Sequence, residues 1–480
     1  MDRATELVTE VNDKFWYLII ALLVVLGLYF SWRTRFVQVR MFREMLRVIT
    51  DKPDDLPDGN PGISAFRAFS ISAASRVGTG NIAGVAIAIS IGGPGAVFWM
   101  WMMAIIGGAT SFVESTLGQL YKVPDKDSFR GGPAYYMQYG LGRRWMGVLF
   151  AVIITVTYGF VFVAVQSNSI ADAVSTSVGG HEDTVKMAVG IVVALLTAAV
   201  IFGGVRRISS VSQVVVPFVA GAYLLLGLVV VVLNITAVPE MFVTIVQSAF
   251  GLNEVVGGGI GVAIMQGIRR GLFSNEAGMG SAPNAGATAS VTHPVKQGLV
   301  QSLGVYFDTL LVCTVTAFVI LLADPDLSAA TGASLTQIAL AEHLGTWTIH
   351  FLTIAIFFLA FTSVIGNYYY GESNIGFLTP STRALNVFRA LVVVCAFAGA
   401  IGSLPLIWSL ADLSMGVMAT VNLIAIAPLS VLVFRLMRHY TDQRRQGLEP
   451  VFNRSDMPDL RGVQSWGDTP SYPERQGADA

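Results

Sequence analysis

The sequence predicts an all-α, polytopic membrane protein with about eleven transmembrane helices, at roughly 20 residues per crossing. Composition is the first ground. Of 480 residues, 54% are hydrophobic and 13% charged, and mean hydropathy is +0.64. A soluble domain carries about 25% charged residues and could not bury this much apolar surface. Long uncharged runs are the second ground: Phe15 to Trp32, Met187 to Phe202, Val211 to Leu233 and Phe351 to Ile365. The third is a pair of interruptions, Val77-Gly78-Thr79-Gly80-Asn81-Ile82-Ala83-Gly84 in one apolar segment and Ser274-Asn275-Glu276-Ala277-Gly278-Met279-Gly280 in another. Loosely helical backbone frees N–H and C=O groups, which hydrocarbon tolerates only where protein or a watery cavity receives them. Interruptions at corresponding places in two halves point to a secondary transporter made of inverted repeats.

The spans are expected near 15–32, 64–91, 95–121, 145–171, 185–204, 209–235, 256–284, 296–323, 346–368, 384–403 and 406–436. The first is not read as a cleaved signal peptide, because it follows an acidic N-terminus and runs into an Arg-rich segment without a small-residue cleavage site. Lys/Arg content of the short loops then sets the orientation. Alternate loops hold Arg33, Arg35, Arg40, Arg43, Arg47 and Lys52; Lys122, Lys126, Arg130, Arg143 and Arg144; Arg206 and Arg207; Lys296; and Arg383, with Arg435, Arg438, Arg444 and Arg445 at the exit of the last span. The other loops hold Asp172, Glu182, Asp183, Glu240, Glu254, Asp324, Asp326 and Glu342, with Lys186 nearly alone among cations. The N-terminus is therefore expected outside and the C-terminus in the cytoplasm, as an odd span count requires. Gly131 to Gly142, rich in Gly and Tyr, is expected along the inner membrane face, and 240–252 as a short amphipathic helix on the outer face. The polar tail from about 440 is expected to be poorly ordered and unnecessary for transport.

Other chemistries find little support. Cys313 and Cys395 lack metal-ligand spacing and read as apolar packing, and His181, His293, His343, His350 and His439 are too scattered for a zinc or haem centre. No basic patch with interleaved aromatics suggests nucleic acid. A membrane-embedded enzyme would need a nucleophile–base pair or clustered ligands, and none is visible. A channel would need repeated rings of carbonyls or charges, whereas two unequal breaks suit one small occluded site.

With the spans placed, "VGTGNIAGVA", "GGPGAVFWMWMMA", "GGPAYYM", "RGLFSNEAGMGSAP" and "HPVKQGLVQSLGVYFDT" together resemble the alanine/glycine:cation (sodium) symporter family. The resemblance runs in order from about 66 to 310. It implies the leucine-transporter fold, five helices followed by five in inverted topology. The core would be residues 63–238 and 239–438, preceded by an extra helix and Arg-rich connector in 1–62 and followed by the tail 439–480. It further implies sodium-coupled uptake of alanine or glycine through the bacterial inner (plasma) membrane, with sodium as the co-transported ion and no other cofactor. The oligomeric state stays open.

Gly78-Thr79-Gly80-Asn81-Ile82-Ala83 also fits a dinucleotide fingerprint, but that motif needs a strand before it and an acid about 20 residues on, and neither is present. Gly80 and Gly84, four apart, could simply let helices pack closely. The functional reading is that backbone amides of Gly78, Thr79 and Gly80 at a half-helix N-terminus bind a substrate carboxylate. By resemblance to the fold, Asn81 lends its side-chain oxygen to a cation and the carbonyls of Ala74 and Val77 serve another. In the second break, Phe273, Ser274, Asn275 and Gly278 are the expected substrate contacts, and freed carbonyls would accept the substrate amino group. Glu276 is either an ion-pair partner, with Arg269 and Arg270 the nearest cations in sequence, or a sodium ligand. In the ninth span the hydroxyls of Thr362 and Ser363 could bond back to the preceding turn; by resemblance they and Leu359 complete a sodium site, with Ser363 also facing substrate. The family usually has a Trp where this chain has Asn367, one turn beyond Ser363, which implies a roomier, more polar pocket admitting serine or glutamine. Gln166 and Asn168 are pocket or helix glue, and Glu114, Asp308 and Asp412 are intramembrane acids with either a site or a salt bridge to serve.

Overall fold

The structure is a computed structural model that describes residues 2–53, 62–125, 128–202, 204–252, 259–325, 327 and 330–467. Lys126, Glu254, Asp326, the side chains of Arg206 and Arg207, and the tail beyond 467 lie outside the described residues. Among the described residues, eight helices are long and apolar enough to cross a membrane, or up to ten if two bent pairs each count once.

Those eight are the first, third, fourth, fifth, eighth, ninth, tenth and eleventh spans. The second is bent: Ala65–Arg76 and Gly80–Gly92 meet at 52°. The sixth, Gly204–Leu233, is followed by Val238–Ala249, which turns off at 102° where the short amphipathic helix is expected. The seventh opens with Gly259–Asn275, whose 17 residues stop short of a crossing at the second interruption, which explains why fewer uninterrupted spans are found than the eleven expected.

Burial shows which helices face lipid. The most apolar stretch of Gly95–Leu120 is 67% buried, against 22% for Glu182–Ile201 and 28% for Thr382–Ile401. The third span is thus a central post and the fifth and tenth are a peripheral pair. π-helical turns widen the fourth span at Thr157–Phe162 and the eighth at Tyr306–Cys313, a feature common at functional sites. One helix was not foreseen. Gly332–Leu344, between the eighth and ninth spans, is too short to span. The Thr336 hydroxyl donates to the Ile82 carbonyl at 3.3 Å, so this helix receives a group loosened by the first break.

The tail corrects an expectation. The last helix runs from Leu404 to Arg445, and the chain then folds back under the molecule rather than trailing off. Phe452 N–H donates to the Thr292 carbonyl (2.9 Å), Trp466 Nε1 to the Gln119 carbonyl (3.3 Å), and Phe452, Leu460, Val463 and Trp466 are buried. Glu449 pairs with Lys296 and with Arg47 at 3.0 Å. Burial alone would raise its pKa, but these two cations hold it below the ordinary carboxylate range. The pair is therefore intact at neutral pH and is lost as pH falls through that lowered value. Glu449→Gln should remove about 1–2 kcal/mol of this half-exposed clasp and speed limited trypsin cleavage at Arg454 and Arg461 about tenfold. Unchanged cleavage would mean that the apolar side chains hold the tail unaided.

Candidate functional site

Helix Ala65–Arg76 ends because Val77 turns to extended backbone (φ −80°, ψ 91°). Gly78 N–H, which in a continuous helix would reach the Ala74 carbonyl, instead donates to Asn81 Oδ1 at 3.0 Å. Thr79 donates both its N–H (3.2 Å) and its hydroxyl (3.0 Å) to Gln166 Oε1. Gln166 thus joins the first break, while Asn168 donates to the carbonyls of Gly399 and Gly402 (3.1 and 2.8 Å), between helices. The glycines are required by close approach. A Cβ on Gly78 would collide with the Ser363 hydroxyl, and one on Gly80 would lie 3.0 Å from the Phe273 ring.

The second break is a chain of left-handed residues, Glu276 (φ 58°), Gly278 (φ 91°) and Gly280 (φ 79°). For Glu276 this backbone costs about 1–3 kcal/mol, and its carboxylate is held firmly enough to impose it. The Ser75 hydroxyl donates to Oε1 (2.7 Å), the Ser281 hydroxyl to Oε2 (2.6 Å), and Arg76 Nε lies 4.0 Å away. The ion-pair reading of Glu276 therefore stands with a different partner from the one expected. Arg269 is taken by Asp13 (2.8 Å) and Arg270 by Asp412, so Asp412 serves a salt bridge. Glu114 caps the freed amides: it accepts from Gly278 N–H (3.1 Å), Gly280 N–H (3.0 Å) and Asn422 Nδ2 (2.8 Å). Gly278 is thereby committed to Glu114 and packs on Thr110, Leu23 and Leu423, apart from the first break.

The two breaks meet at Asp308, which the sequence left unassigned. Asn81 Nδ2 donates to Asp308 Oδ1 (2.6 Å) and to Ser274 Oγ (3.0 Å). The hydroxyls of Ser274 and Thr309 donate to Asp308 Oδ2. Among the described residues no cation comes within ion-pair distance of this buried carboxylate. Cys313 Sγ, expected in apolar packing, lies 3.1 Å from Ser274 Oγ and 3.4 Å from Asn81 Nδ2, inside the same polar knot.

Around the knot, Thr362 and Ser363 both donate to the Leu359 carbonyl (2.8 and 3.1 Å), and the Ser363 hydroxyl lies against Gly78. The Asn367 carboxamide lies 2.8 Å from Ser75 Oγ, whose proton goes to Glu276, and Asn275 Oδ1 accepts from Ala277 N–H (3.0 Å). Among the described residues, Asn275 Nδ2 and one end of the Asn367 carboxamide are buried without a partner. Phe273 packs between the tilted rings of Phe162 and Trp408 at centroid distances of 4.7 and 4.8 Å, and Arg270 lies 4.6 Å over Trp408. The structure thus brings together Gly78, Thr79, Gly80, Asn81, Phe273, Ser274 and Ser363. It sets Asn367 beside the Ser75–Glu276 pair and Gly278 beside Glu114.

Known proteins fit this geometry. The chain is 52% identical to the amino-acid carrier protein AlsT of Bacillus subtilis, covering 95% of this chain and 96% of that protein. It is 49% identical to the probable sodium/glutamine symporter GlnT of the same organism, over 95% and 94%, and 39% identical to the sodium/alanine symporter AgcS of Methanococcus maripaludis, over 92% and 98%. Among solved structures, a Na+-coupled sialic acid symporter in a substrate-bound outward-open state matches 87% of this chain and 86% of its own, with a TM-score of 0.52 at 12% identity. That likeness shows the inverted-repeat fold of the leucine transporter. The description "sodium:alanine symporter family" matches residues 1–454. With two broken helices joined at one buried polar knot, and relatives alike along nearly the whole length, the chain is a membrane transporter that belongs to the sodium:alanine symporter family.

Proposed function

We propose that this protein couples sodium entry to uptake of small neutral amino acids, alanine and glycine, across a bacterial plasma membrane, with its N-terminus outside and C-terminus in the cytoplasm. The observation that carries this is the meeting of the two breaks at Asn81, Ser274 and Asp308. The oxygens of Asn81 and Gln166 accept from Gly78 N–H and Thr79 N–H, and a substrate carboxylate would take their place. Asn275 and freed carbonyls hold the ammonium end. One sodium ion binds the carbonyls of Ala74, Val77 and Leu359 with the hydroxyls of Thr362 and Ser363, and another binds Asn81 Oδ1.

Charge supports cation coupling. Around the breaks three buried acids, Glu114, Glu276 and Asp308, gather with one buried guanidinium, Arg76, so the cluster holds more acids than cations. A zwitterion gains nothing from membrane voltage, whereas one sodium ion gains about 2.3 kcal/mol per 100 mV. Alternating access would rock spans two, three, seven and eight, contributed by the repeats 63–238 and 239–438, against spans four, five, nine and ten. The test is uptake of labelled alanine into proteoliposomes under an imposed sodium gradient. Uptake that ignores the gradient sinks the proposal.

A second reading, acceptance of glutamine or serine, is favoured by the buried carboxamide of Asn367, one end of which has no partner among the described residues and could be satisfied by a polar substrate side chain. Asn367→Trp should reduce competition by glutamine against alanine uptake at least tenfold, since fit in such a pocket discriminates by about 1–3 kcal/mol. Equal competition in both proteins would mean that position 367 does not set the size limit.

A further inference from the structure

We propose a second binding site, for the phosphate headgroup of an anionic phospholipid, between the ends of the first and last spans on the Arg-rich face. A cavity of about 480 Å³ lies there, and five arginines, Arg33, Arg35, Arg40, Arg438 and Arg445, line it with one acid, Asp442. Asp442 reaches only Arg445, at 3.6 Å. Among the described residues the other four have no carboxylate partner within ion-pair distance. Arg435 and Arg444, on neighbouring turns, do have one, in Asp459 (2.6 Å) and Glu44 (3.2 Å). The cluster is therefore not an ordinary solvated charge run, in which acids and bases intersperse. Burial and the like charges of Arg35 and Arg445 pull the Arg40 guanidinium below its ordinary pKa, so positive charge is crowded and uncompensated.

The backbone is shaped for this crowding. Arg35 (φ 54°) and Phe36 (φ 53°) are both left-handed, a conformation non-glycine residues rarely adopt. The turn they make brings the first span's end against the last span. Arg40 is steered by a hydrogen bond to the Thr34 carbonyl (3.3 Å), and Arg33 lies 5.0 Å over the Phe434 ring. Arginine forks suit bidentate phosphate contacts.

The choice of a lipid over a soluble phosphate rests on what borders the cavity. Trp32, itself a lining residue, is 67% exposed, and Phe36 and Val39 are 53% and 64% exposed. An aromatic and apolar rim at the end of a membrane span is where acyl chains begin. Basic pockets between spans on the cytoplasmic side are a known form of headgroup site. The inference relies on the membrane orientation proposed above only for the leaflet concerned; binding in detergent has no sidedness, so its failure is separable from failure of the transport reading.

The test is native mass spectrometry of the full chain in neutral detergent, titrated with phosphatidylglycerol, with phosphatidylcholine, and with inorganic phosphate. Phosphatidylglycerol should be retained well beyond phosphatidylcholine, and Arg33→Gln/Arg35→Gln/Arg40→Gln should weaken that retention about a hundredfold, at roughly fivefold per arginine. Asp442→Asn, which removes the one acid and needs no repacking, should strengthen it several-fold even if the triple variant proves unstable. Equal retention of the two lipids, no response to Asp442→Asn, or displacement of phosphatidylglycerol by millimolar inorganic phosphate would each overturn the assignment.

Discussion

Removing both hydroxyls of the ninth span, as Thr362→Ala with Ser363→Ala, should raise the sodium concentration for half-maximal alanine uptake about a hundredfold or more. Both hydroxyls sit on the Leu359 carbonyl, and Ser363 touches Gly78 where the first half-helix ends. Gly78 N–H bonds to Asn81 Oδ1 in place of the Ala74 carbonyl. The proposed sodium site would draw on such oxygens, the hard, neutral ligands that an alkali cation prefers, by analogy with divalent ions. Each oxygen–ion contact is comparable to a charged hydrogen bond, about 1.5–3 kcal/mol, so losing two gives the stated shift. Hydroxyls that merely bond back to their own helix contribute little, and Ala is the better helix former. A purely structural role therefore predicts unchanged sodium dependence and equal or higher thermal stability. The measurement is initial uptake rate against external sodium in proteoliposomes, with a melting curve for each variant.

Sequence and structure agree where the signal is local and part where it depends on distant partners. The breaks were legible because Gly78, Gly80, Gly278 and Gly280 interrupt apolar runs that nothing else in the chain interrupts in that way. Intramembrane acids were legible as costly groups. Their partners were not, because Glu276 meets Ser75, 201 residues away, while sequence proximity pointed to Arg269 and Arg270. The left-handed backbone at Glu276 turns its carboxylate off the preceding helix, a feature no spacing rule contains. Cys313 was misplaced for the same reason: its own span is apolar, and the polar atoms beside it come from Asn81 and Ser274. The tail misled through its average. Polar and proline-rich overall, it spaces Phe452, Leu460, Val463 and Trp466 so that one side buries against Thr292 and Gln119.

Asp308 carries the other large expectation. Asp308→Asn should lower sodium-driven alanine uptake about a thousandfold while leaving the protein folded. Its carboxylate accepts from three residues, Asn81, Ser274 and Thr309. Hydroxyls can rotate to accept instead, and the Asn81 amide can turn, so the local cost of an amide there is about 1–3 kcal/mol. What an amide cannot restore is the charge. An isolated carboxylate at membrane depth is expensive and is retained where it serves an ion or a relay, and Asp308 has no counter-ion within the described structure while touching both broken helices at once. A cation arriving about 4 Å away gains about 4 kcal/mol at an effective dielectric of 20, which is three powers of ten in affinity. Because the same carboxylate holds Asn81 of the first break and Ser274 of the second, a cation that neutralised it would also free or fix the proposed substrate contacts, and coupling would follow by linkage. Sodium titrations of uptake and of thermal stability, made on wild type and Asp308→Asn, separate the two roles. A variant that still transports, with its sodium requirement unmoved, would make Asp308 only the hydrogen-bonding hub of the knot. A variant that folds, binds alanine weakly and no longer responds to sodium would identify it as the charge that ties the ion to the amino acid.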